Sequence, residues 1–321
     1  THKQIPISHS SSTISIIGAG IIAPSISGIE EFRIFMEKGE KSQSHCCQNR
    51  FPDKNEEISL LTRYCFSTLH LEQLVQFLSI PEDANEVLDQ QYLLWNAVAM
   101  QAIENADISV QGKRVGIFAG LGPTFYNGSQ SGKDLSEWSL AGTTHSFATG
   151  LLAYEMDLNG PNMVIDSACS SSLVAIHLAC QSIRLGEIDI AIAGGAQLFY
   201  SAKSFELLRK AGIVSPTGTC NPFDKNADGY VPGEGAGAVI LTSESYAVDM
   251  GWKSMGKILG SAVNHDGRTP TATMPSLDRQ RDLYEKVLNQ SGVLLEQIAF
   301  VEAHGTGTVL GDPIEVAGIR E

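Results

Sequence analysis

A short apolar run followed at once by an amphipathic segment, between Asn162 and Gly186, constrains the fold of this chain most strongly. Residues 162–166 form a brief apolar run with β-branched side chains, which predicts a buried strand. The following segment has apolar residues at helical spacing and predicts a helix: Leu173, Ile176, Leu178, Ile183 and Leu185. The stretch therefore predicts a strand, a tight turn and a helix.

Cys169 lies where the predicted strand meets the predicted helix. A helix start offers unpaired backbone N–H groups and a partial positive charge, so a thiol there ionises more readily than a free cysteine. Ser170, Ser171 and Ser172 are small enough to cap the helix and to admit a thioester. This stretch alone also permits a buried cysteine that only fills space.

The remaining apolar segments repeat the same alternation along the chain. Further strands are predicted at residues 13–20, 114–121, 188–193, 238–242, 257–263 and 298–303. Helices are predicted at residues 29–38, 69–78, 85–105, 146–158, 204–211, 278–290 and from 313 onward. Alternating strands and helices predict an α/β fold, with a mainly parallel sheet covered by helices on both faces.

The first predicted strand ends in a possible dinucleotide-binding fingerprint, formed by Gly18, Gly20 and Ala23. That fingerprint requires a helix to begin within the glycines. Pro24 and the polar residues after it delay the next helix to about residue 29. We therefore expect no nicotinamide or flavin site here.

Composition narrows the possible partners and the compartment. A formal net charge of −14 argues against nonspecific binding to nucleic acid or to an anionic membrane. Six scattered cysteines without paired CxxC units predict reduced thiols and no metal site. Residues 1–12 are polar and predict a flexible leader, and no membrane-spanning run or signal peptide is recognised. A cytoplasmic protein is expected.

The segment VEAHGTGTVLGDPIE carries a second reactive group, His304, directly after a predicted strand. Glycines 305 and 307 let a backbone approach a ligand closely. An imidazole at the carboxyl end of a parallel strand lies where such sheets bind ligands, and it can stabilise negative charge or move a proton. Taken alone, a structural histidine is the competing interpretation.

Other polar residues near these segments have simpler interpretations. Asp312 and Glu315 are expected to cap the following helix. The segment NPFDKNADGYVPGEGAG has the first ligand positions of a calcium loop, yet Gly235 stands where the bidentate glutamate belongs. We therefore expect this segment to form turns that line the functional site, and not a calcium-binding loop.

Together, DSACSSSL, NPFDKNADGYVPGEGAG with GSAVNHDGRT, and EAHGTGTVLGDPIE resemble the signature segments of β-ketoacyl synthases, especially polyketide synthase ketosynthase domains. The resemblance implies a thiolase-like αβαβα fold. It implies that Cys169 accepts an acyl chain from the phosphopantetheine of an acyl carrier protein. His304 would assist decarboxylation of a malonyl unit before Claisen condensation. Thr306 and Thr308 would contact the pantetheine arm, and no cofactor would be bound.

The resemblance also implies a domain division and partners. Residues 13–250 would form the N-terminal half and residues 251–321 an incomplete C-terminal half. A homodimer, further polyketide synthase domains or a complementary C-terminal half are the expected partners. The family's active-site lysine, second histidine and Gly/Phe-rich loop do not occur in these residues, so we expect residues 1–321 alone to be acylated at most, without full condensation. The alternatives are a non-condensing homologue, half of a split enzyme, or an unrelated cysteine hydrolase.

Overall fold

The structure is a computed structural model that describes residues 13–39, 65–66, 87–122, 138–200, 202–271 and 273–320. The leader predicted at residues 1–12 and the helix predicted at residues 69–78 lie outside the described residues. Within the described ranges, no helix is long and apolar enough to cross a lipid bilayer.

Within the described residues, seven strands form one mixed sheet. They are β1 (Ile14–Ala23), β2 (Ile26–Ser27), β3 (Val115–Leu121), β4 (Asn162–Ile165), β5 (Ile190–Gln197), β6 (Gly235–Ser243) and β7 (Gly256–Ile258). The order is β2-β1-β6-β5-β3-β4, and β7 also pairs with β1. Strand β3 is parallel to β4 and β5, whereas β6 is antiparallel to both β5 and β1. The prediction of a mainly parallel sheet is therefore wrong, because uninterrupted apolar runs indicate burial on both faces but not strand direction.

The helices that the structure describes are α1 (Ile29–Lys38), α2 (Gln90–Ala106), α3 (Ser146–Glu155), α4 (Ser171–Arg184), α5 (Ala202–Lys210), α6 (Glu244–Asp249), α7 (Leu277–Ser291) and α8 (Gly311–Arg320). Helix α2 packs on β1 and β6, while α4 packs on β3 and β5. Two separate groups of buried apolar side chains lie in these interfaces. The sheet is thus covered by helices on both faces, as the apolar runs predicted.

The glycines of β1 allow α2 to lie directly on the strand. A Cβ atom on Gly18 would stand 2.5 Å from the carbonyl oxygen of Ala102, and one on Gly20 would stand 2.5 Å from that of Val98. The strand continues through both glycines to Ala23. Close helix packing therefore accounts for the apparent dinucleotide fingerprint.

Several predicted boundaries need correction. The strand predicted to end before Gly194 continues to Gln197. The helix predicted from residue 85 begins at Gln90, because the Asp89 carboxylate caps it by accepting the Gln91 N–H. Strand β4 is present but is not buried, because it lies at the sheet edge, where Met163 is 38% exposed. An apolar run does not reveal which strand ends at an edge.

The C-terminal part differs most from its prediction. The strand predicted over residues 257–263 is limited to β7, which pairs with β1. Residues 298–303 form no strand with any part of the chain that the structure describes, and Phe300 is 79% exposed. The prediction of a strand before His304 is therefore wrong, since an apolar run becomes a strand only where a neighbour supplies hydrogen bonds.

Candidate active site

Cys169 sits in a sharp turn between the edge strand β4 and helix α4. A short 3₁₀ turn, Ala168–Ser170, precedes the helix, and Ala168 adopts a left-handed φ of 57°. The Asp166 carboxylate accepts the Ala168 N–H at 3.1 Å, and the Ser171 hydroxyl donates to the Ala168 carbonyl at 2.7 Å. Local polar contacts thus hold an uncommon backbone conformation that leaves Cys169 exposed.

The serines do not cap α4 as expected. The hydroxyl of Ser170, which immediately precedes the helix, donates to the Ser167 carbonyl at 2.9 Å, and this residue makes no side-chain cap. The Ser171 hydroxyl also accepts the Ser167 N–H at 2.9 Å. These side chains therefore stabilise the turn that carries Cys169, so their capping role is a wrong prediction.

The loop before α8 carries His304, and two buried carboxylates hold this loop. Glu315 accepts the His304 N–H at 2.6 Å and the Gly305 N–H at 2.9 Å. Asp312 accepts the Gly307 N–H at 3.0 Å, and its other oxygen accepts the Phe223 N–H at 2.6 Å. Both acids lie early in α8, but they bind the loops instead of capping their own helix, which corrects the sequence interpretation.

The structure brings Cys169 and His304 together. The neighbouring His304 imidazole lowers the pKa of the Cys169 thiol, against the opposing effect of partial desolvation. The Cys169 side chain in turn raises the pKa of the His304 imidazole. Each group therefore favours the charged form of the other, which is the arrangement that produces a thiolate beside an imidazolium.

A cavity of about 650 Å³ opens beside Cys169, above the carboxyl ends of β3 and β5. Its walls consist mostly of small residues, among them Gly120, Gly195, Gly237 and Ala236. A Cβ atom on Gly120 would stand 2.4 Å from the Ser172 nitrogen. Glycine is required there because the start of α4 approaches the sheet directly.

Thr306 and Thr308 follow His304 on the same loop and are half-buried. Their hydroxyls are 3.0 Å apart, and the Thr308 hydroxyl accepts the Gly311 N–H at 3.1 Å. Thr308 also lines a second cavity, next to Phe223. The two threonines are therefore close to His304 in the chain, but they are partly engaged with each other and with the start of α8.

The segment around Phe223 forms a wall next to this loop. The Gly229 N–H donates to the Gly307 carbonyl at 2.8 Å, and the Phe223 ring lies against Gly305. The Asp224 carboxylate accepts the Asn226 N–H at 2.8 Å, which is a local turn contact. Among the described residues, no group of three or more potential ligands is arranged to hold a metal ion.

The protein is an α/β protein with a reactive cysteine between the edge strand of a mixed sheet and a helix that covers the sheet. Comparison with known proteins identifies its family. The family model described as "Beta-ketoacyl synthase, N-terminal domain" matches residues 11–247, and "Beta-ketoacyl synthase, C-terminal domain" matches residues 255–321. This chain belongs to the β-ketoacyl synthase family.

Relatives in polyketide synthases agree with this family. A phenolphthiocerol/phthiocerol polyketide synthase of Mycobacterium tuberculosis is 37% identical over 316 residues, which cover 94% of this chain and 17% of that protein. Non-reducing polyketide synthase stbA of Stachybotrys bisbyi is 36% identical over 326 residues, covering 97% of this chain and 15% of that protein. The chain therefore spans less than a fifth of the length of these relatives.

Solved ketosynthase structures share the fold. A cysteine-to-serine variant of the ketosynthase from module 6 of the bacillaene synthase of Bacillus subtilis 168 superposes with a TM-score of 0.85 at 30% identity. That match covers 96% of this chain and 54% of the solved chain. A ketosynthase domain of Streptomyces albus, OzmH KS7, gives a TM-score of 0.81 at 26% identity, covering 96% and 55%. The fold is thiolase-like, as the resemblance implied.

Proposed function

We propose that this chain is a ketosynthase of polyketide biosynthesis and that Cys169 is its acyl acceptor. The proximity of the Cys169 thiol and the His304 imidazole, each of which favours the charged form of the other, carries this proposal. The exposed position of the thiol and the adjoining cavity support access by a thioester. The acyl donor would be a phosphopantetheine thioester on an acyl carrier protein, and the chain itself would bind no cofactor.

The first half-reaction transfers the acyl group to the enzyme. The Cys169 thiolate attacks the thioester carbonyl carbon, the bond from that carbon to the pantetheine sulfur breaks, and His304 gives its proton to the departing thiolate. The backbone N–H of Cys169 would donate one hydrogen bond to the oxyanion. The products are acylated Cys169, a free pantetheine thiol and a neutral imidazole.

The second half-reaction would form the carbon–carbon bond. A malonyl thioester loses carbon dioxide, and the electrons of the broken bond form an enolate, whose thioester oxygen accepts a hydrogen bond from His304. The enolate carbon attacks the acyl carbonyl, and the bond to Sγ of Cys169 breaks to restore the thiolate. The family resemblance also assigns a second histidine to this step.

An acyl-loading experiment tests the proposal. The protein is incubated with an acyl-pantetheine thioester, and intact mass is measured before and after addition of malonyl-carrier protein. One acyl group per chain is expected in the wild type and in Cys220→Ala, which removes another accessible thiol, but not in Cys169→Ala. Loading that survives Cys169→Ala contradicts the proposal, and rapid release of free acid indicates a hydrolase. Stable loading without condensation indicates a non-condensing acyl-transfer protein.

We also propose a homodimer that forms through the edge strand β4. Among the residues that the structure describes, this strand ends the sheet; Met163 on β4 is 38% exposed, and Tyr154 on the neighbouring helix α3 is 81% exposed. An unpaired edge with apolar side chains favours association with a second strand. Sedimentation velocity should show a dimer that Met163→Arg dissociates, whereas a wild-type monomer contradicts this interface.

The division of the chain into residues 13–250 and 251–321 remains part of the proposal. The two family-model matches, which leave residues 248–254 between them, support it. Strand β7, which follows residue 250, pairs with β1. Limited proteolysis should cut near residue 250 before it cuts within β1, β5 or β6.

A further inference from the structure

Gln197, the last residue of β5, is a polar side chain in the otherwise apolar part of the cavity beside Cys169. Apart from the turn that carries Cys169 and the start of α4, the other residues that line this cavity in the described ranges are glycine, alanine or isoleucine. Ligand sites are mostly apolar, and their few polar groups determine which ligand is accepted. Gln197 is therefore placed to determine specificity.

The Gln197 side chain lies on the same face of the sheet as Cys169. Side chains alternate between the two faces of a strand, so residues 195 and 197 share one face of β5. A Cβ atom on Gly195 would stand 3.1 Å from the Cβ atom of Ser172, at the start of α4. This is the face that α4 covers, and Cys169 immediately precedes that helix.

The carboxamide of Gln197 has hydrogen-bonding capacity that the protein leaves open. Its Nε2 donates to the Leu198 carbonyl at 2.8 Å, and its Oε1 accepts no hydrogen bond from any residue in the described ranges. A primary amide has two N–H donors and an acceptor oxygen. One donor and one acceptor of the same planar group are therefore available to a ligand in the cavity.

Buried side chains hold the backbone next to this carboxamide. Gln91 is fully buried, its Oε1 accepts the Leu198 N–H at 3.0 Å, and its Nε2 donates to the Gly122 carbonyl at 3.3 Å. It thus joins β3 and β5 just beyond their last paired residues. The Glu234 carboxylate accepts the Phe199 N–H at 2.7 Å. A polar group on such a fixed backbone is already positioned before the ligand binds.

We propose that Gln197 selects acyl chains that carry a hydroxyl group beyond the β-carbon. This inference rests on the proposed ketosynthase function. A hydroxyl group can donate to Oε1 of Gln197 and accept from its open N–H, whereas a ketone can only accept and a methylene group does neither. A site that leaves a polar group unpaired discriminates against the analogue that causes this loss.

The distance across the sheet gives the position of the hydroxyl group. Cys169 follows β4 and Gln197 ends β5, with β3 between them. Neighbouring strands lie about 4.8 Å apart, so the ends of β4 and β5 are about 10 Å apart. A hydrogen bond covers about 3 Å of this distance. The remaining stretch, about 7 Å, corresponds to about six bonds of an extended chain, which reach from Sγ to an oxygen on about the fifth carbon.

Four donors with the same chain length test this selection. They are the N-acetylcysteamine thioesters of octanoate and of its 3-hydroxy, 5-hydroxy and 5-keto derivatives. The measurement is kcat/KM for acylation of Cys169 by intact mass, from initial rates with fresh donor, because 5-hydroxy thioesters also cyclise to lactones. The wild type should favour the 5-hydroxy donor about tenfold over the octanoyl and 5-keto donors, since both hydrogen bonds form only with the hydroxyl group.

Gln197→Leu has a similar size but no hydrogen-bonding group. It should lower the ratio of kcat/KM for the 5-hydroxy donor to that for octanoate from about ten to about one. The corresponding ratio for the 3-hydroxy donor should not change, because that hydroxyl group lies closer to Cys169. Gln111→Leu is the matched control, since Gln111 is exposed before β3 and does not line the cavity. It should keep the wild-type ratios.

Gly122→Ala tests the same carboxamide without changing it. A Cβ atom at residue 122 would stand 2.8 Å from Oε1 of Gln197, so the carboxamide has to move. This variant should also lose the preference for the 5-hydroxy donor. Circular dichroism should show that every variant is folded.

Two results would overturn the inference while leaving the proposed function in place. One is acylation of the wild type with equal kcat/KM for the octanoyl and 5-hydroxy donors. The other is a 5-hydroxy preference in Gln197→Leu as large as in the wild type. If no donor acylates the wild type, the proposed function fails and the inference fails with it.

Discussion

Glu315→Gln should displace the loop that carries His304 while leaving helix α8, in which residue 315 lies, nearly intact. Both oxygens of the Glu315 carboxylate accept loop N–H groups, from His304 at 2.6 Å and from Gly305 at 2.9 Å, and the residue is 9% exposed. Glutamine has the same shape but only one oxygen. Its amide NH₂ would face a second N–H group, so one of the two backbone donors would lose its partner.

The expected loss follows from these contacts. A hydrogen bond to a charged group contributes about 1.5–3 kcal/mol, and an unpaired buried donor adds a desolvation cost. We therefore expect local stability of the loop to fall by about 2 kcal/mol, which corresponds to about 30-fold faster opening. A displacement of about 1 Å at His304 can lower the rate of a reaction about 100-fold, so acylation of Cys169 should slow by about 10- to 100-fold.

Hydrogen exchange followed by mass spectrometry measures the opening directly. A peptide that covers residues 298–310 should exchange faster in Glu315→Gln, whereas a peptide from α4 should not change. Glu302→Gln is the matched control, because this glutamate is exposed on the same loop. Unchanged exchange and acylation in Glu315→Gln, or an equal effect of Glu302→Gln, would refute the role assigned to this carboxylate.

Two further predictions concern stability. Burial raises the pKa of Asp89 from 3.8 to about 6, although Tyr200 and the Gln91 N–H donate hydrogen bonds to the carboxylate. The folded state therefore holds this proton more tightly, and stability is lost as pH rises from about 4 to about 6, by about 3 kcal/mol at 1.36 kcal/mol per pKa unit. Asp89→Asn should flatten this part of the pH profile in urea titrations, and an unchanged slope would contradict it. Gly120→Ala should lower both Tm and Cys169 acylation, because its Cβ would stand 2.4 Å from the Ser172 nitrogen; a wild-type Tm would show that the start of α4 is less closely packed than the structure indicates.

The sequence predicted the neighbourhood of Cys169 well because that information is local. The strand, the turn and the helix are consecutive, so the apolar spacing of residues 162–185 determines them together. It did not predict the left-handed Ala168 or the role of Ser171, since both depend on hydrogen bonds within the turn. Exposure of β4 also escaped prediction, because an edge position depends on strands elsewhere in the chain.

Long-range contacts account for the remaining errors. Asp312 and Glu315 have the composition of helix caps, but their partners are N–H groups in two loops, one of which includes Phe223. No spacing rule connects residue 223 to residue 312. The proximity of Cys169 and His304 was expected only from the family resemblance, since sequence periodicity gives no distance between two separate loops.

The reactivity of Cys169 as a function of pH tests the central claim most directly. Alkylation by iodoacetamide, located by peptide mass spectrometry, follows the fraction of thiolate. Because the neighbouring His304 imidazole lowers the pKa of this thiol, the wild-type midpoint should lie below that of a free cysteine, about 8.5. His304→Gln should move the midpoint upward. Superimposable profiles for the wild type and His304→Gln would contradict the account.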